Sequence, residues 1–364
     1  MSSPKFHSLR VKQIKKETSD SVSISFDVPV ELKSDYTYTQ GQYITIRKNF
    51  NGEEIRRSYS LCSSPLDGDL RVGIKTVENG LFSNYANHEL KEGDQLEVMT
   101  PMGMFYTELN PAQNKNYLAF AAGSGITPIM SIIKTTLAVE PNSTFTLVYG
   151  NKTTGSIMFL EEIEALKNMY LDRITVFHLL SRESVDVPIL NGRINKDKCE
   201  EFFTKNLIDS SKINDAFICG PEDMIHGVKA CLESKGLNSK NIHFELFTTP
   251  TQIANAISHK SHVQAVSDNK AKSAVSVKID GITYQLELPY DGETVLDAAL
   301  KTGADLPFAC KGGVCCTCRA KVTKGSASME MNFSLEDDEV EKGYILTCQA
   351  HPTSEELFVD FDIK

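Results

Sequence analysis

Apolar and polar residues alternate over much of the first hundred positions, which is the spacing of a strand with one buried face. Residues 22–26 (Val-Ser-Ile-Ser-Phe) are the clearest case, and residues 42–46 (Gln-Tyr-Ile-Thr-Ile) are similar. Turn pairs such as Gln40-Gly41 and Asp67-Gly68 separate these runs. Short strands punctuated in this way predict an antiparallel β-barrel domain over residues 1–112.

The pattern then changes to alternating strands and helices over residues 113–249. The predicted strands are residues 117–122, 144–149, 174–180, 216–219 and 242–247. The predicted helices are one that follows Pro128, residues 159–169 and residues 222–235. This order predicts an α/β domain with a parallel sheet, and ligands of such sheets bind beyond the carboxyl ends of the strands.

The last part of the chain divides into a polar stretch and a compact segment. Residues 250–274 are rich in Ser, Asn, Lys and Gln, which predicts an interdomain linker. Residues 275–364 open with two strand-like runs around Asp280-Gly281, a pair that indicates a β-hairpin. The sequence therefore predicts three domains and one linker, in keeping with a length of 364 residues.

Charge and hydropathy argue against a nucleic-acid-binding, membrane-spanning or secreted protein. The formal net charge is −10, which argues against a nucleic-acid partner, and residues 271–364 hold 16 acidic against 9 basic side chains. That excess favours a basic protein partner, although a merely solvated surface would also account for it. The longest uncharged stretch, residues 117–133, is interrupted by Gly123, Gly125 and Pro128, and the start of the chain lacks a signal-like apolar run. We therefore expect a cytoplasmic protein without a membrane segment.

Four of the nine cysteines have the spacing of a plant-type [2Fe–2S] site. Cys310, Cys315 and Cys318 follow C-x4-C-x2-C, and Cys348 follows after 29 intervening residues. Gly312 and Gly313 provide the room that a loop wrapped around a cluster needs. A structural zinc site is the alternative, since four thiolates also suit zinc. Cys316 is either a packing residue or a spare ligand.

Three further motifs are ambiguous when taken alone. Residues 57–60 (Arg-Ser-Tyr-Ser) lie on a predicted strand, where they could be structural. Residues 123–128 (Gly-Ser-Gly-Ile-Thr-Pro) depart from G-x-G-x-x-G, so they indicate either a nucleotide-binding turn or an ordinary strand-to-helix turn. Residues 219–224 (Cys-Gly-Pro-Glu-Asp-Met) form a second such turn, in which a buried cysteine is commonly inert.

Taken in order, these motifs resemble those of the ferredoxin–NADP reductase superfamily members that carry a C-terminal plant-type ferredoxin domain. The resemblance covers essentially the whole chain, and the reductase components of phenylacetyl-CoA epoxidases are the branch that it resembles most. It implies a multidomain fold: an FAD-binding barrel, a nicotinamide-binding α/β domain and an α+β (β-grasp) ferredoxin domain. FAD, NADPH or NADH, and a [2Fe–2S] cluster are the implied cofactors.

The resemblance also implies site residues. Arg57 would pair with the flavin pyrophosphate, Tyr59 would cover the isoalloxazine ring, and Ser60 would bond the N5 edge. Ser60, Cys219 and Glu245 are the implied catalytic residues. The remaining implied cofactor-binding residues are Ser58, Gly80, Phe82, Ser83, Gly123, Gly125, Thr127, Pro128, Ser181, Arg182, Arg193, Gly220, Pro221, Met224 and Phe247. Residues 101–105 (Pro-Met-Gly-Met-Phe) resemble the family's barrel-closing loop.

The choice between NADPH and NADH depends on the end of a predicted strand. Ser181, Arg182 and Arg193 favour NADPH, because arginine accommodates a 2′-phosphate. Glu183 keeps NADH open, since a carboxylate at such a position can bond the ribose instead.

The expected activity is electron transfer. Hydride from NADPH would pass to FAD and leave as single electrons through the cluster. The implied acceptor is the di-iron component of a phenylacetyl-CoA epoxidase. A reductase for another di-iron or Rieske hydroxylase of aromatic or steroid substrates is one alternative, and a redox-sensing protein without turnover is another.

Overall fold

The computed structural model describes residues 4–247 and 272–363, which form two compact units. One unit comprises residues 7–55 and 59–247, and the other comprises residues 272–363 with residues 4–6 and 56–58. The predicted linker over residues 250–274 lies outside the described residues except for its last three, which belong to a strand. In the described part of the chain, no helix is long and apolar enough to cross a membrane.

The first unit begins with a six-stranded barrel, which we call the barrel subdomain (residues 7–55 and 59–112); its strands β1 and β4 also include Phe6 and residues 56–58, which are counted with the second unit. Its sheet order is β4-β3-β6-β1-β2-β5, and a bridge from Leu61 to Val72 joins the two ends of this order. Alternating apolar side chains such as Val22, Ile24 and Phe26 fill the interior, as the period-two pattern predicts. The elements are β1 (Phe6–Thr18), β2 (Ser21–Asp27), β3 (Tyr43–Phe50), β4 (Glu53–Ser60), β5 (Leu70–Lys75), α1 (Leu81–His88) and β6 (Gln95–Met99).

The same unit continues as a parallel-sheet subdomain (residues 113–247). Its five strands have the order β11-β10-β7-β8-β9, and every pair is parallel. The elements are β7 (Asn116–Ala122), α2 (Ile126–Val139), β8 (Thr144–Asn151), α3 (Leu160–Met169), β9 (Ile174–Leu180), α4 (Lys196–Thr204), β10 (Ile213–Gly220), α5 (Glu222–Ser234) and β11 (Ile242–Leu246).

The sequence-based interpretation of this subdomain is confirmed in fold class, with differences at element ends. α2 begins at Ile126, two residues before Pro128, so the proline occupies the first helical turn, where its missing N–H costs nothing. α4 was not predicted. It begins at an asparagine N-cap, in which the Asn195 side chain accepts a hydrogen bond from the Lys198 amide.

The strand order creates a switch point between β7 and β10. From β7 the chain proceeds outward through β8 and β9, then returns to place β10 and β11 on the other side. Beyond the carboxyl ends of two such strands the connections diverge and leave a crevice. The glycine turns at residues 123–125 and 219–221 are the segments that leave these two strands.

Aromatic and ionic contacts join the two subdomains of the first unit. Phe105, at the end of the barrel-closing loop, packs edge-on against Phe217 of β10, with ring centroids 5.5 Å apart. Arg71 of β5 pairs with Glu162 of α3 at 2.9 Å, and Lys134 of α2 bonds both Glu162 and Asp67. The predicted boundary at residue 112 therefore falls inside one packed body.

The second unit, which we call the ferredoxin-like unit, is a mixed sheet packed on a helix. Its main sheet has the order β13-β12-β18-β14-β16, with β12 parallel to β18, and β15 pairs with β17. The predicted hairpin is confirmed: β12 and β13 are antiparallel around Asp280 and Gly281, both at positive φ. The elements are β12 (Lys272–Ile279), β13 (Ile282–Pro289), α6 (Val295–Lys301), β14 (Arg319–Lys324), β15 (Ala327–Met329), α7 (Asp337–Glu341), β16 (Tyr344–Leu346), β17 (Ala350–Pro352) and β18 (Glu356–Asp360).

Candidate functional site

The two glycine turns touch each other at the switch point. A Cβ at Gly125 would lie 2.2 Å from the Cys219 carbonyl oxygen, and one at Gly220 would lie 2.5 Å from the Met224 Cε. Neither position can accept a side chain without movement of the neighbouring backbone or of Met224. The two turns therefore form one close-packed surface at the crevice, which suits the close approach of a dinucleotide pyrophosphate.

Thr127 and Pro128 support this surface from below. The Thr127 Oγ1 donates to the Ser124 carbonyl at 3.0 Å, and its methyl group would lie 2.7 Å from a Cβ at Gly73 of the barrel. Both residues are buried. The Tyr149 hydroxyl donates to the Gly123 carbonyl at 3.0 Å. These contacts hold the turn in place, so Thr127 and Pro128 position the backbone instead of presenting side chains to a ligand.

Ser60, Cys219 and Glu245 come together from three strands. Cys219 and Glu245 are register partners on β10 and β11, and the Ser60 Oγ at the end of β4 donates to the Glu245 Oε2 at 3.0 Å. Ser60 and Cys219 are buried, whereas Glu245 keeps part of its surface accessible. This arrangement links the barrel to the nicotinamide side of the crevice through one hydroxyl and one carboxyl group.

Burial determines the protonation states of Glu245 and Cys219. Desolvation raises the pKa of Glu245 to about 7, and the hydrogen bond from Ser60 opposes the shift. Desolvation, with Glu245 as a second cause, raises the pKa of the Cys219 thiol well above its usual value. Around neutral pH the Glu245 carboxyl, beside the Ser60 hydroxyl, can therefore bind or release a proton. The Cys219 thiol is neutral.

The raised pKa of Glu245 leads to a test of stability against pH. The unfolded carboxyl titrates near 4.5 and the folded one near 7, so the free energy of unfolding falls as pH rises through this interval. Glu245→Gln removes the cost of charging and should stabilise the protein at pH 8 by at most about 3 kcal/mol, with little effect at pH 5. Thermal unfolding of both proteins at both pH values, monitored by the rise in flavin fluorescence, measures this. An equal shift in melting temperature at pH 5 and pH 8 would contradict the prediction.

The predicted flavin-binding residues lie on β4 and around the start of α1. The Tyr59 ring lies 5.6 Å from Phe82, which is fully buried in the barrel core, so Phe82 supports Tyr59 from behind. Gly80 is the N-cap of α1, and the Ser83 Oγ accepts from the Val77 amide at 3.1 Å. The first amides of such a helix have no partner within it and suit phosphate oxygens.

These residues fit an FAD molecule. The Cβ of any other residue at position 80 would lie 2.6 Å from the Ser83 Oγ, so the turn is built around a residue without a side chain. The Arg57 Nη1 donates to its neighbour's carbonyl, the Arg56 oxygen, at 2.7 Å. This bond uses one of five donors of the guanidinium group and leaves donor capacity for a pyrophosphate.

The barrel-closing loop fits the barrel end tightly. Met102 bridges to Tyr43, and a Cβ at Gly103 would lie 3.0 Å from the Tyr43 ring. A Cβ at Gly41 would lie 2.0 Å from the Phe105 carbonyl oxygen. The loop therefore connects the flavin-side strands to Phe105.

The predicted 2′-phosphate residues lie together at the carboxyl end of β9. A parallel bridge from Leu180 to Asn191 and a bond from the Gly192 amide to the Leu180 carbonyl bring residues 191–193 beside residues 180–182. Arg182 and Arg193 are exposed at this edge. Both side chains carry guanidinium groups, the kind of group that binds phosphate, and the backbone segments that carry them are adjacent.

Glu183 is held by other protein groups. Its carboxylate accepts bonds of 2.7 Å from both the amide and the hydroxyl of Thr154, and the amide bond is the first cause of a lowered pKa. Ser181 donates to the Asn151 carbonyl at 3.2 Å. The carboxylate thus caps the turn at residues 154–156, and the signal for this role, a threonine at a strand exit, was not recognised in the sequence.

The remaining predicted nicotinamide residues lie at the start of α5 and the end of β11. Pro221 is the N-cap of α5, and Met224 is buried under Gly220. Phe247 is partly buried and packs against the core of the parallel-sheet subdomain. All of them are near the ends of β10 and β11, in the same region as Cys219.

In the ferredoxin-like unit the four predicted ligands form two thiol pairs. The Cys310 amide donates to the Cys315 Sγ at 3.5 Å, and the amide of Thr347, the residue before Cys348, donates to the Cys318 carbonyl at 3.1 Å. The first pair is partly accessible and the second is buried. The described residues contain no group of three or more ligands around one point. Two thiolates for each of two irons is the ligand set of a [2Fe–2S] cluster, so the donor arrangement fits that group.

The loop backbone is also arranged around these sulfur atoms. The Gly312 amide donates to the Cys310 Sγ at 3.3 Å and the Thr317 Oγ1 to the Cys315 Sγ at 3.1 Å. Such donors stabilise negative charge on the sulfurs. Gly313 has a φ of 74°, and a Cβ there would lie 2.8 Å from the Met331 carbonyl oxygen, so the loop requires glycine at this position.

The sequence did not indicate a role for Gln349 and left the role of Cys316 open. The Gln349 Nε2 donates to the Lys311 and Cys348 carbonyls and so ties the loop to its distant ligand. The Cys316 thiol contacts the Ser334 Oγ at 3.0 Å, and burial raises the pKa of Cys316 to about 12. Cys316 is therefore a packing residue in this structure.

Comparison with known families covers the three predicted segments in order. The chain matches the oxidoreductase FAD-binding domain over residues 8–106, the oxidoreductase NAD-binding domain over residues 120–230, and the 2Fe-2S iron–sulfur cluster binding domain over residues 277–353.

Individual relatives are similar over their whole length. The chain is 44% identical to a 1,2-phenylacetyl-CoA epoxidase subunit of Escherichia coli, over 99% of this chain and 98% of that protein. It is 33% identical to the ferredoxin reductase component of 3-ketosteroid-9-alpha-monooxygenase of Rhodococcus rhodochrous, over 97% and 96%. Phthalate dioxygenase reductase, a solved structure, shares the fold with a TM-score of 0.57 at 20% identity, over 98% of both chains.

Proposed function

Because the chain belongs to the ferredoxin–NADP reductase-like family, we propose that it delivers electrons from NADPH to the di-iron oxygenase component of a phenylacetyl-CoA epoxidase. The family consists of NAD(P)H-dependent reductases, and this chain has the FAD-binding, NAD-binding and [2Fe–2S] domains. The observation that carries the proposal is the 44% identity to an epoxidase component over 99% of the chain. Relatives from other monooxygenase systems are also reductase components. The proposal includes a cytoplasmic location, where NADPH and a coenzyme A thioester would both be available.

When bound, FAD accepts the electron pair of a nicotinamide hydride and the [2Fe–2S] cluster accepts electrons singly, which converts a two-electron donor into a one-electron source. The protein's part is to bind and orient. The turns at Gly125 and Gly220 would hold the nicotinamide cofactor at the switch point, while Tyr59 and Arg57 would hold the flavin. Cys310, Cys315, Cys318 and Cys348 would hold the cluster.

Ser60 and Glu245 would handle the proton that accompanies flavin chemistry. The carboxyl, with a pKa of about 7, can hold a proton and pass it through the Ser60 hydroxyl, 3.0 Å away. Cys219 is neutral and buried, so it fills the floor of the nicotinamide site without bringing a charge. No nucleophile or hydrolytic base is needed for this reaction.

The arginine pair and the engaged Glu183 support NADPH over NADH, which gives a specificity prediction. Arg182→Ala should raise the KM for NADPH by about 10- to 100-fold, because a charge-assisted bond to phosphate is lost, and should leave the KM for NADH unchanged. Steady-state ferricyanide reduction with each cofactor measures this.

Glu183→Gln is the matched control for this prediction. Since Glu183 is bonded to Thr154, it should change neither KM by more than a few-fold. An increase in the KM for NADH in Glu183→Gln, together with an unchanged KM for NADPH in Arg182→Ala, would mean that the carboxylate binds a ribose and that NADH is the donor.

Reconstitution tests the acceptor. The purified holoprotein is combined with NADPH and either the oxygenase subunits of a phenylacetyl-CoA epoxidase or a 3-ketosteroid 9α-hydroxylase, and product is quantified by mass spectrometry. The proposal requires NADPH-dependent epoxidation of phenylacetyl-CoA at a rate well above steroid hydroxylation. Faster steroid hydroxylation would favour the alternative, and the absence of any NADPH-dependent reduction of ferricyanide would favour a redox-sensing protein.

A further inference from the structure

One side of α2 carries polar side chains. Thr127, Ser131, Lys134 and Thr135 have the spacing i, i+4, i+7 and i+8, so they lie along one face of the helix. The two threonines and the serine are buried, and the Lys134 side chain is 14% exposed. Buried polar groups require hydrogen-bonding partners, and both Lys134 and Thr135 have a partner in the barrel subdomain.

The Thr135 hydroxyl makes the first contact with the barrel. Its Oγ1 lies 2.9 Å from the Ser64 Oγ and donates to the Ser131 carbonyl at 2.6 Å. Ser64 and Thr135 are both buried, so water does not compete for this contact. Ser64 lies in the connection between β4 and β5, four residues after Ser60 at the end of β4. The contact therefore joins the middle of α2 to the segment that continues from Ser60.

The Lys134 ammonium group makes the second contact. It donates to the Asp67 Oδ2 of the barrel and, at 2.8 Å, to the Glu162 Oε1 of α3. The Asp67 Oδ2 also accepts a bond from the Ser64 amide at 2.9 Å, which closes the turn at residues 64–67 on itself. One cation thus connects a compact turn of the barrel with two helices of the parallel-sheet subdomain.

The start of α2 is also in contact with the barrel. A Cβ at Gly73 of β5 would lie 2.7 Å from the Thr127 methyl group, so strand and helix approach closely there. The turn at residues 123–125 leads directly into α2 at Ile126. Because its backbone hydrogen bonds make a helix stiff, contacts at the start and in the middle of α2 fix this turn relative to the barrel.

We propose that Lys134 is a positioning residue for flavin reduction: through α2 it holds the nicotinamide turn at its working distance from the flavin. Lys134 lies eight residues beyond Ile126, about 12 Å along the helix axis, so it acts through the helix and not on a cofactor. The inference rests on transfer of hydride between the nicotinamide and flavin sites and does not depend on which oxygenase is the acceptor.

Lys134→Met tests the proposal, because it removes the ammonium group and keeps most of the apolar stem. The limiting rate of flavin bleaching is measured anaerobically by stopped flow with saturating NADPH and with saturating NADH, without an acceptor. For the cofactor that wild type uses faster, we expect a loss of about 10- to 100-fold, since a small misplacement of reacting groups is costly. Flavin content and the dissociation constants of 2′,5′-ADP and ADP should stay as in wild type, because each subdomain by itself is intact.

Two further variants separate positioning from general stability. Lys134→Arg keeps a cation beside Asp67 and Glu162 and should recover a rate within about threefold of wild type. Lys115→Met is the matched control: Lys115 bonds the buried Asp215 at 2.9 Å, and both residues belong to the parallel-sheet subdomain. It removes a comparable ion pair without a contact to the barrel, so its limiting rate should equal that of wild type.

Four results would overturn the proposal. They are a wild-type limiting rate in Lys134→Met, an equal loss in Lys115→Met, no recovery in Lys134→Arg, and a loss of flavin or of ADP binding in Lys134→Met that accounts for the lower rate. Because no oxygenase is present in these measurements, a failure to support epoxidation would leave their outcome unchanged.

Discussion

Cys348→Ser is expected to abolish the [2Fe–2S] cluster while flavin-dependent ferricyanide reduction continues. The substitution removes a soft thiolate from the buried thiol pair and replaces it with a hard, protonated hydroxyl group that holds iron poorly. Bound iron should fall from about two atoms per chain to near zero. Reduction of a one-electron acceptor such as cytochrome c should fall with it, because the exit route for single electrons is lost. Iron and sulfide analysis and the two reductase assays measure this.

Cys316→Ser is the matched control for the cluster. Its thiol contacts Ser334 and has a pKa raised to about 12, so a hydroxyl group can take its place in that hydrogen bond. This variant should keep its cluster and both activities. Retention of the cluster in Cys348→Ser, or loss of both activities in it, would contradict the assignment of separate flavin and cluster modules.

Gly125→Ala is expected to disable the nicotinamide site with little effect on bound flavin. The new Cβ would lie 2.2 Å from the Cys219 carbonyl oxygen, so the ends of β7 and β10 must separate. A displacement of about 1 Å in a positioning element can reduce a rate by ~100-fold, and we expect a loss of that order in flavin reduction by NADPH. Anaerobic stopped-flow measurement of flavin bleaching provides the rate, and the flavin content per chain shows whether the barrel is intact.

Gly123→Ala separates this clash from the conformational preference of glycine. Gly123 has a φ of 55°, but a Cβ there would meet no atom within 4 Å. Alanine at this position therefore costs only the strain of a left-handed conformation, about 1–2 kcal/mol. We expect a reduction rate within about 10-fold of wild type. Equal losses in the two variants would show that the contact between the two turns does not matter for cofactor binding.

The sequence predicted the parallel sheet well because its strands and helices carry strong, local patterns. The predicted strand at residues 174–180 matches β9 in full. α4 was missed because most of its nine residues are polar, although its buried residues Cys199, Phe202 and Phe203 have helical spacing after the Asn195 cap. In the ferredoxin-like unit, three strands of three residues each have no period long enough to detect.

The parts of the site whose residues are close together in the sequence could be predicted. The glycine turns and the cysteine spacing each lie within a few residues, so their chemistry can be recognised in the sequence. Ser60 and Glu245 are 185 positions apart, and only the family resemblance suggested both; the hydrogen bond between them needed the structure. Likewise, nothing local indicated that Thr154 would bind Glu183, a contact that bears on the choice between NADPH and NADH.

The packing of Phe105 against Phe217 has a practical consequence for protein engineering. Phe105 is 7% exposed and belongs to the hydrophobic core of the parallel-sheet subdomain, although it is covalently part of the barrel-closing loop. A fragment cut between residues 112 and 113 would leave that core without one of its aromatic rings and would expose Phe105 to water. Chimeric reductases in which the nicotinamide-binding subdomain is exchanged should therefore not be joined at this boundary. Phe105, Phe217, Arg71 and Glu162 should all come from the same parent protein.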